Sequence, residues 1–150
     1  MTKVLFVCHG NICRSPMAEY VFRDLAMKAG RADSIEVSSC AVSREEIGND
    51  VYPPARRVLT AHGVPCPRRA AREITLADLE ENDYIFCMDR NNIFRLKRYA
   101  NDLSKVALLG SFGLGGKEIE DPWFTGNFEK VYREILTCCE ELLREILARD

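Results

Sequence analysis

Nine consecutive residues near the N terminus hold the most reactive chemistry in the chain: Cys8-His9-Gly10-Asn11-Ile12-Cys13-Arg14-Ser15-Pro16. A thiol is followed by five residues, then a guanidinium and a hydroxyl. Successive backbone N–H groups in a loop that wraps into a helix N-terminus converge on one point and can cradle an anion. Gly10 and Asn11 tolerate the left-handed backbone such a wrap needs. Arg14 offers a planar fork that binds two phosphate oxygens at once. Thiols at helix N-termini or beside arginine react as thiolates, so Cys8 at the focus of the cradle is placed to attack phosphorus. The bland reading makes Cys8 a small buried hydrophobe closing a strand, and a Cys-x5-Arg spacing alone is a weak signal. Its setting, between an apolar run and a Ser-Pro helix opening, favours a catalytic anion-binding loop. The Gly-x4-Gly-Lys-Ser/Thr pattern of a nucleotide P-loop is absent.

Expelling an alkoxide or phenoxide also requires a proton donor. Of the 23 acidic residues, Asp121 differs from the rest. It precedes Pro122 in a late loop and is flanked by Trp123 and Phe124, a setting expected to shield a carboxyl from water and let it hold a proton. Asp89, at the end of a predicted strand, competes for the role, but its use as a helix N-cap is favoured. Trp123 and Phe124 are read as an aromatic wall for a phenyl ring, with core packing as the alternative. Ser15 is placed to hydrogen-bond the Cys8 sulfur, to cap the helix, or both. Asn11 is expected to lock the loop, and His9 to sit at its rim.

The elements that must position these residues follow from periodicity. Apolar runs at 3–7, 35–39, 84–88 and 106–109 read as buried strands. Helices are predicted from Ser15-Pro16 to Gly30, with Pro16 at the first helical position and Ala18, Val21, Phe22, Leu25 and Ala29 as the apolar stripe, and from Pro53-Pro54 to near Gly63. Shorter ones fit 76–82 and 91–100. The last is the clearest, with Phe128, Val131, Tyr132, Ile135, Cys139, Leu142, Leu143 and Ile146 at helical spacing. Strand–helix alternation implies right-handed crossovers and a mainly parallel sheet, which binds ligands at the carboxyl ends of its strands. The loop beginning at Cys8 lies there.

The 150 residues suit one domain, and 47% hydrophobic with 29% charged residues is an ordinary globular composition. A net charge of −2 argues against nucleic acid as the main partner. The opening apolar run is too short for a signal peptide, and no stretch approaches the ~18 residues of a membrane span, so no membrane partner is expected. Seven cysteines, an odd number, fit free thiols in a reducing cytoplasm. A zinc site from Cys8, His9 and Cys13 fits no common spacing, and Arg14 opposes a cation.

Residues Val7 to Glu19, VCHGNICRSPMAE, resemble the signature of the low-molecular-weight protein tyrosine phosphatases. The resemblance continues through Glu45-Glu46-Ile47-Gly48-Asn49, Tyr52-Pro53-Pro54-Ala55, Met88-Asp89 and Asp121-Pro122-Trp123-Phe124-Thr125-Gly126, and the bacterial branch is the more similar. It implies a single α/β domain over 1–150, a three-layer α/β/α fold with a four-stranded parallel sheet. It also implies metal- and cofactor-independent hydrolysis of phosphotyrosine proteins or peptides through a cysteinyl phosphate. Cys8 is then the nucleophile, Arg14 the phosphate ligand and Asp121 the acid. Residues Cys8 to Ser15 bind phosphate or a similar oxyanion. Cys13 matches a cysteine that can form a reversible disulfide with the nucleophile, although a packing role is equally open.

Two departures stand out. Arg69-Ala70-Ala71-Arg72-Glu73 occupies the place of a His-x-Ala-Arg-Gln pattern, so if that His holds Asn11 and Ser15 in relatives, another group must do so here. Phe124 stands where relatives often carry Tyr. Arg56, Arg57, Arg68, Arg69 and Arg72 read as solvated basic patches. Protein arginine phosphatases of the superfamily tend to carry Thr at the position of Ile12, so Ile12 favours phosphotyrosine. An arsenate reductase needs two further relay cysteines, and Cys87 stands alone in its neighbourhood. A non-catalytic anion-binding module would need neither Cys8 nor Asp121.

Overall fold

A computed structural model describes residues 1–149. Strands β1 (Thr2–Cys8), β2 (Ile35–Ala41), β3 (Tyr84–Cys87) and β4 (Val106–Leu108) alternate with helices α1 (Arg14–Lys28), α2 (Pro53–Ala61), α3 (Leu76–Glu81), α4 (Arg90–Leu96), α5 (Pro122–Thr125) and α6 (Phe128–Arg149). The sheet is wholly parallel in the order β2-β1-β3-β4. β1 is central, and its apolar run is explained by cover on both faces. Val4 and Phe6 pack with residues of α1, α2 and α6. Leu5 and Val7 pack on the opposite face with Leu79 of α3 and Leu96 of α4. The result is the expected three-layer α/β/α architecture. Its chain reverses direction across the sheet at β1, with β2 on one side and β3 on the other. That switch point is where such sheets open a crevice, and Cys8 ends β1 there, in register with Ala41 of β2.

The boundaries differ from expectation for local reasons. Helix α1 begins at Arg14, so Pro16 is its third residue, where a missing N–H still falls among the four unpaired ones. Ala29 is exposed, and Met17, Tyr20 and Ala26 join the buried face instead. β3 stops at Cys87 because the Met88 N–H turns to the Asn92 side chain at 3.0 Å. Helix α4 ends at Leu96 rather than near 100, and the chain closes in a turn whose Tyr99 N–H reaches the Leu96 carbonyl at 2.9 Å. α5 was not foreseen: four residues are too few for periodicity. Its signals are local, with Pro122 at the first position, Asp121 as N-cap and Gly126 at φ 77° as the left-handed stop. On α6 the predicted stripe is buried except for Phe128, which is half-buried, and Cys138 joins it.

Candidate active site

Asn11 organises the loop after β1. It is fully buried and carries φ 61°, the one non-glycine residue with positive φ among those described. This backbone turn brings its N–H to the Cys8 sulfur at 3.3 Å. Its side-chain Nδ2 donates to Ser15 Oγ at 2.7 Å and to Ser39 Oγ at 3.0 Å. Ser15 Oγ lies 3.0 Å from Cys8 Sγ. Ser15 accepts from Asn11, and its single hydrogen has two acceptors in reach, the Cys8 sulfur at 3.0 Å and the Cys40 carbonyl at 3.5 Å; the nearer sulfur is the better placed, and a hydrogen aimed there stabilises a thiolate. The helix-cap alternative for Ser15 does not hold: it is the second residue of α1, and the N-cap, Cys13, makes no side-chain cap.

Arg14 has only 3% of its side chain exposed. Its Nη1 donates to Asp89 Oδ2 and to the Ile119 carbonyl, both at 2.8 Å. Its Nη2 lies 3.7 Å from Asp121 Oδ2. Burial opposes its charge, but the facing Cys8 sulfur, Asp89 and Asp121 outweigh that and raise its pKa. Asp89 caps α4 as expected, Oδ1 accepting the Asn92 N–H at 2.8 Å. Its second task, anchoring Arg14, was missed; the signal available was its position at the carboxyl end of a strand beside the Cys8 loop.

The Asp121 side chain caps α5 through the Trp123 N–H at 3.1 Å. Trp123 and Phe124 are 50% and 79% exposed and meet edge to face at 5.0 Å between centroids. They form a rim rather than a core beneath the loop, so they do not seal Asp121 from water as expected. A cleft of about 100 Å³ is lined by Cys8, His9, Gly10, Ile12, Cys13, Arg14, Asp121, Trp123 and Phe124, together with Glu45 and Glu46. Asn11 and Ser15 lie beneath it, and the acidic side of its mouth was not foreseen. His9 Nε2 pairs with Glu45 at 2.7 Å on this rim. Burial, and after it the negative Cys8 and Asp121, push the Cys13 thiol well up.

Residues 3–150 match the sequence model of the low molecular weight phosphotyrosine protein phosphatases. The chain belongs to that family. It is 40% identical over 150 residues to the low molecular weight protein-tyrosine-phosphatase YfkJ of Bacillus subtilis, covering 97% of this chain and 96% of the relative. The crystal structure of YfkJ superposes with a TM-score of 0.95 at 39% identity, covering 100% and 97% of the two chains. The human low molecular weight phosphotyrosine protein phosphatase is 40% identical over 149 residues, 95% of this chain and 94% of the relative. A Drosophila arginine phosphatase shares the fold with a TM-score of 0.87 at 34% identity, covering 97% and 98%.

The basic residues of 56–72 do not form one solvated patch as expected. Arg56 forks to Asp50 at 3.0 Å and Arg72 to Asp78 at 2.8 and 3.0 Å. Arg69, standing where the family pattern has His, is turned inward with 14% of its side chain exposed. Only Arg57 and Arg68 are exposed as read. Cys87 is buried in β3 and Cys138 in α6, neither in a mobile segment of the kind a disulfide relay needs, which argues against the arsenate-reductase reading.

Proposed function

We propose that residues 1–150 form a single protein-tyrosine phosphatase domain that hydrolyses aryl phosphate monoesters without a metal or cofactor, with Cys8 as nucleophile. The observation that carries this reading is the Cys8 sulfur at the base of the cleft, 3.0 Å from Ser15 Oγ and 3.3 Å from the Asn11 N–H. A sulfur so held lies in the same cleft as Arg14, where a phosphate would meet both.

Cys8 attacks phosphorus in line while Arg14 and the loop N–H groups hold the equatorial oxygens. Asp121 protonates the leaving phenolic oxygen. As the carboxylate it then takes a proton from the water that cleaves the S–P bond, releasing phosphate and the thiolate. Trp123 and Phe124 flank the leaving ring. Ile12, at the edge of the cleft, favours phosphotyrosine over phosphoarginine. Seven free thiols among the described residues fit a reducing cytoplasm, and the close superposition with the Bacillus enzyme supports a bacterial setting. The partner is a phosphotyrosine protein or peptide, with no nucleic acid or membrane required.

The test is hydrolysis of p-nitrophenyl phosphate, a phosphotyrosine peptide and phosphoarginine by reduced protein without added metal. Turnover of the two aryl phosphates that disappears in Cys8→Ser supports the reading. Preference for phosphoarginine keeps the mechanism and overturns the substrate, and no turnover of any of the three removes the enzyme.

A further inference from the structure

We infer that Arg69 is a positioning residue for the nucleophile, a charged clamp that fixes both the backbone and the amide of Asn11 and thereby aims the Ser15 hydrogen at Cys8. The inference rests on the Cys8 reading above. Nη1 of Arg69 donates to the Asn11 carbonyl at 2.8 Å, and Nη2 to Asn11 Oδ1 at 2.7 Å. The two bonds have different consequences.

The bond to the carbonyl holds a strained peptide. With φ at 61°, Asn11 directs its N–H into the cradle and its C=O out of it. A carbonyl turned away from the loop's other donors needs a partner, and the guanidinium supplies one. The bond to Oδ1 fixes which way the side-chain amide faces. Oδ1 also accepts the Arg72 N–H at 3.2 Å, so both its acceptor directions are filled from one side. Nδ2 must therefore face Ser15 and Ser39.

Ser39 closes the arrangement. It receives Nη2 of Arg69 at 3.2 Å and donates to Glu19 Oε1 at 2.5 Å, with Arg69 and Glu19 3.9 Å apart. The hydroxyl of Ser39 is thus committed to Glu19 and cannot donate to Asn11. Donor direction runs from Arg69 to Asn11 and from Asn11 to Ser15, which leaves the Ser15 hydrogen to choose between the sulfur at 3.0 Å and the more distant Cys40 carbonyl at 3.5 Å. A guanidinium can hold two acceptors in one plane and stays protonated at every working pH; neither a lysine nor an imidazole offers both properties.

The experiment compares wild type, Arg69→Met, Arg69→Lys, Arg69→His, Asn11→Ala and the Arg69→Met/Asn11→Ala double variant, each first checked for folding by thermal unfolding. Two readouts are used: kcat and KM for p-nitrophenyl phosphate, and the rate of iodoacetamide labelling at Cys8, located by mass spectrometry at one fixed neutral pH. Arg69→Met is expected to lower kcat by on the order of ten- to a hundredfold, from two charge-assisted hydrogen bonds, with KM within about twofold. Arg69→Lys and Arg69→His should each restore part of the loss. Labelling of Cys8 should slow, because the sulfur loses its oriented donor; a loop that had merely loosened would expose the buried thiol and label faster. The double variant should be no slower than Asn11→Ala alone, since the two act as one unit. Wild-type kcat in folded Arg69→Met, faster labelling, or losses that multiply in the double variant each overturn the inference. Should Arg69→Met fail to fold, the same comparison is read from Arg69→Lys. If wild type hydrolyses no aryl phosphate, the proposed function fails, and the labelling series still decides the role of Arg69.

Discussion

Asp89 divides its two oxygens between two tasks: Oδ2 receives Nη1 of Arg14 at 2.8 Å, and Oδ1 receives the N–H of Asn92 at 2.8 Å. The cap at the start of α4 is therefore also the mount for the buried Arg14. Substitution separates the two. Asn is as good an N-cap as Asp, but its amide nitrogen cannot accept from Arg14, so Asp89→Asn should keep the cap while leaving the buried guanidinium short of a partner and lowering kcat/KM. Asp89→Ala loses the cap as well and should be less stable than Asp89→Asn by about 1 kcal/mol. Urea unfolding alongside steady-state kinetics checks this. Equal stability of the two variants would show that the cap is not what Oδ1 contributes.

Asp121 approaches Arg14 from the other side, Oδ2 at 3.7 Å from Nη2, at the mouth of the cleft. In the proposed mechanism it protonates the leaving oxygen, so its value depends on how much the leaving group needs a proton. Asp121→Ala should reduce kcat/KM by about 10²–10³-fold for phenyl phosphate. The loss should be clearly smaller for p-nitrophenyl phosphate, whose phenoxide leaves unaided. A leaving-group series in both proteins reads this as a steeper slope in the variant; parallel slopes would remove Asp121 as the acid.

How much of this could be read beforehand depended on how local the signal was. The four strands were legible because the sheet is covered on both faces, so residues such as Val4 to Val7 form an unbroken apolar run. The Cys8 loop was legible because its chemistry lies in one contiguous stretch. Arg69 was not: its partner Asn11 is 58 positions away, and an arginine among five in a short segment reads as surface until the fold turns it inward. Asp89 misled in the opposite way, because a cap explains an Asp before a helix so well that nothing in the sequence asks for a second use. α5 escaped because a single turn shows no period, although Asp-Pro and Gly126 marked its ends.

Cys13 shares the cleft with Cys8, and burial pushes its thiol up, so it should be far slower than Cys8 toward alkylating agents. We propose that it nevertheless resolves an oxidised nucleophile. Peroxide converts Cys8 to the sulfenic acid, and attack by the Cys13 sulfur forms the disulfide with loss of water. After a peroxide pulse followed by dithiothreitol, wild type should regain most of its activity. Cys13→Ser should regain clearly less, because its sulfenic acid continues to the sulfinic state. Equal recovery would assign Cys13 to packing alone.

Glu120 adjoins Asp121 and ties its loop to α6, receiving Lys130 Nζ on Oε1 and Asn127 Nδ2 on Oε2, the latter at 3.0 Å. The hydrogen bond from Lys130, with smaller help from Thr125 and Asn127, lowers its pKa from 4.5 to about 2. In the unfolded chain the same carboxyl titrates near ~4.3. A pKa lower in the folded state means that protons bind the unfolded chain more readily. The stabilisation is therefore fully present above about pH 4.5, shrinks as pH falls, and is gone near pH 2. Wild type should melt higher than Glu120→Gln by the same margin at pH 7 and pH 5.5, and the margin should narrow at pH 3.5 and again at pH 2.5. A margin independent of pH would mean that the carboxylate charge contributes nothing to holding the loop. The anchor beside Asp121 thus stays ionised at every neutral or mildly acidic pH.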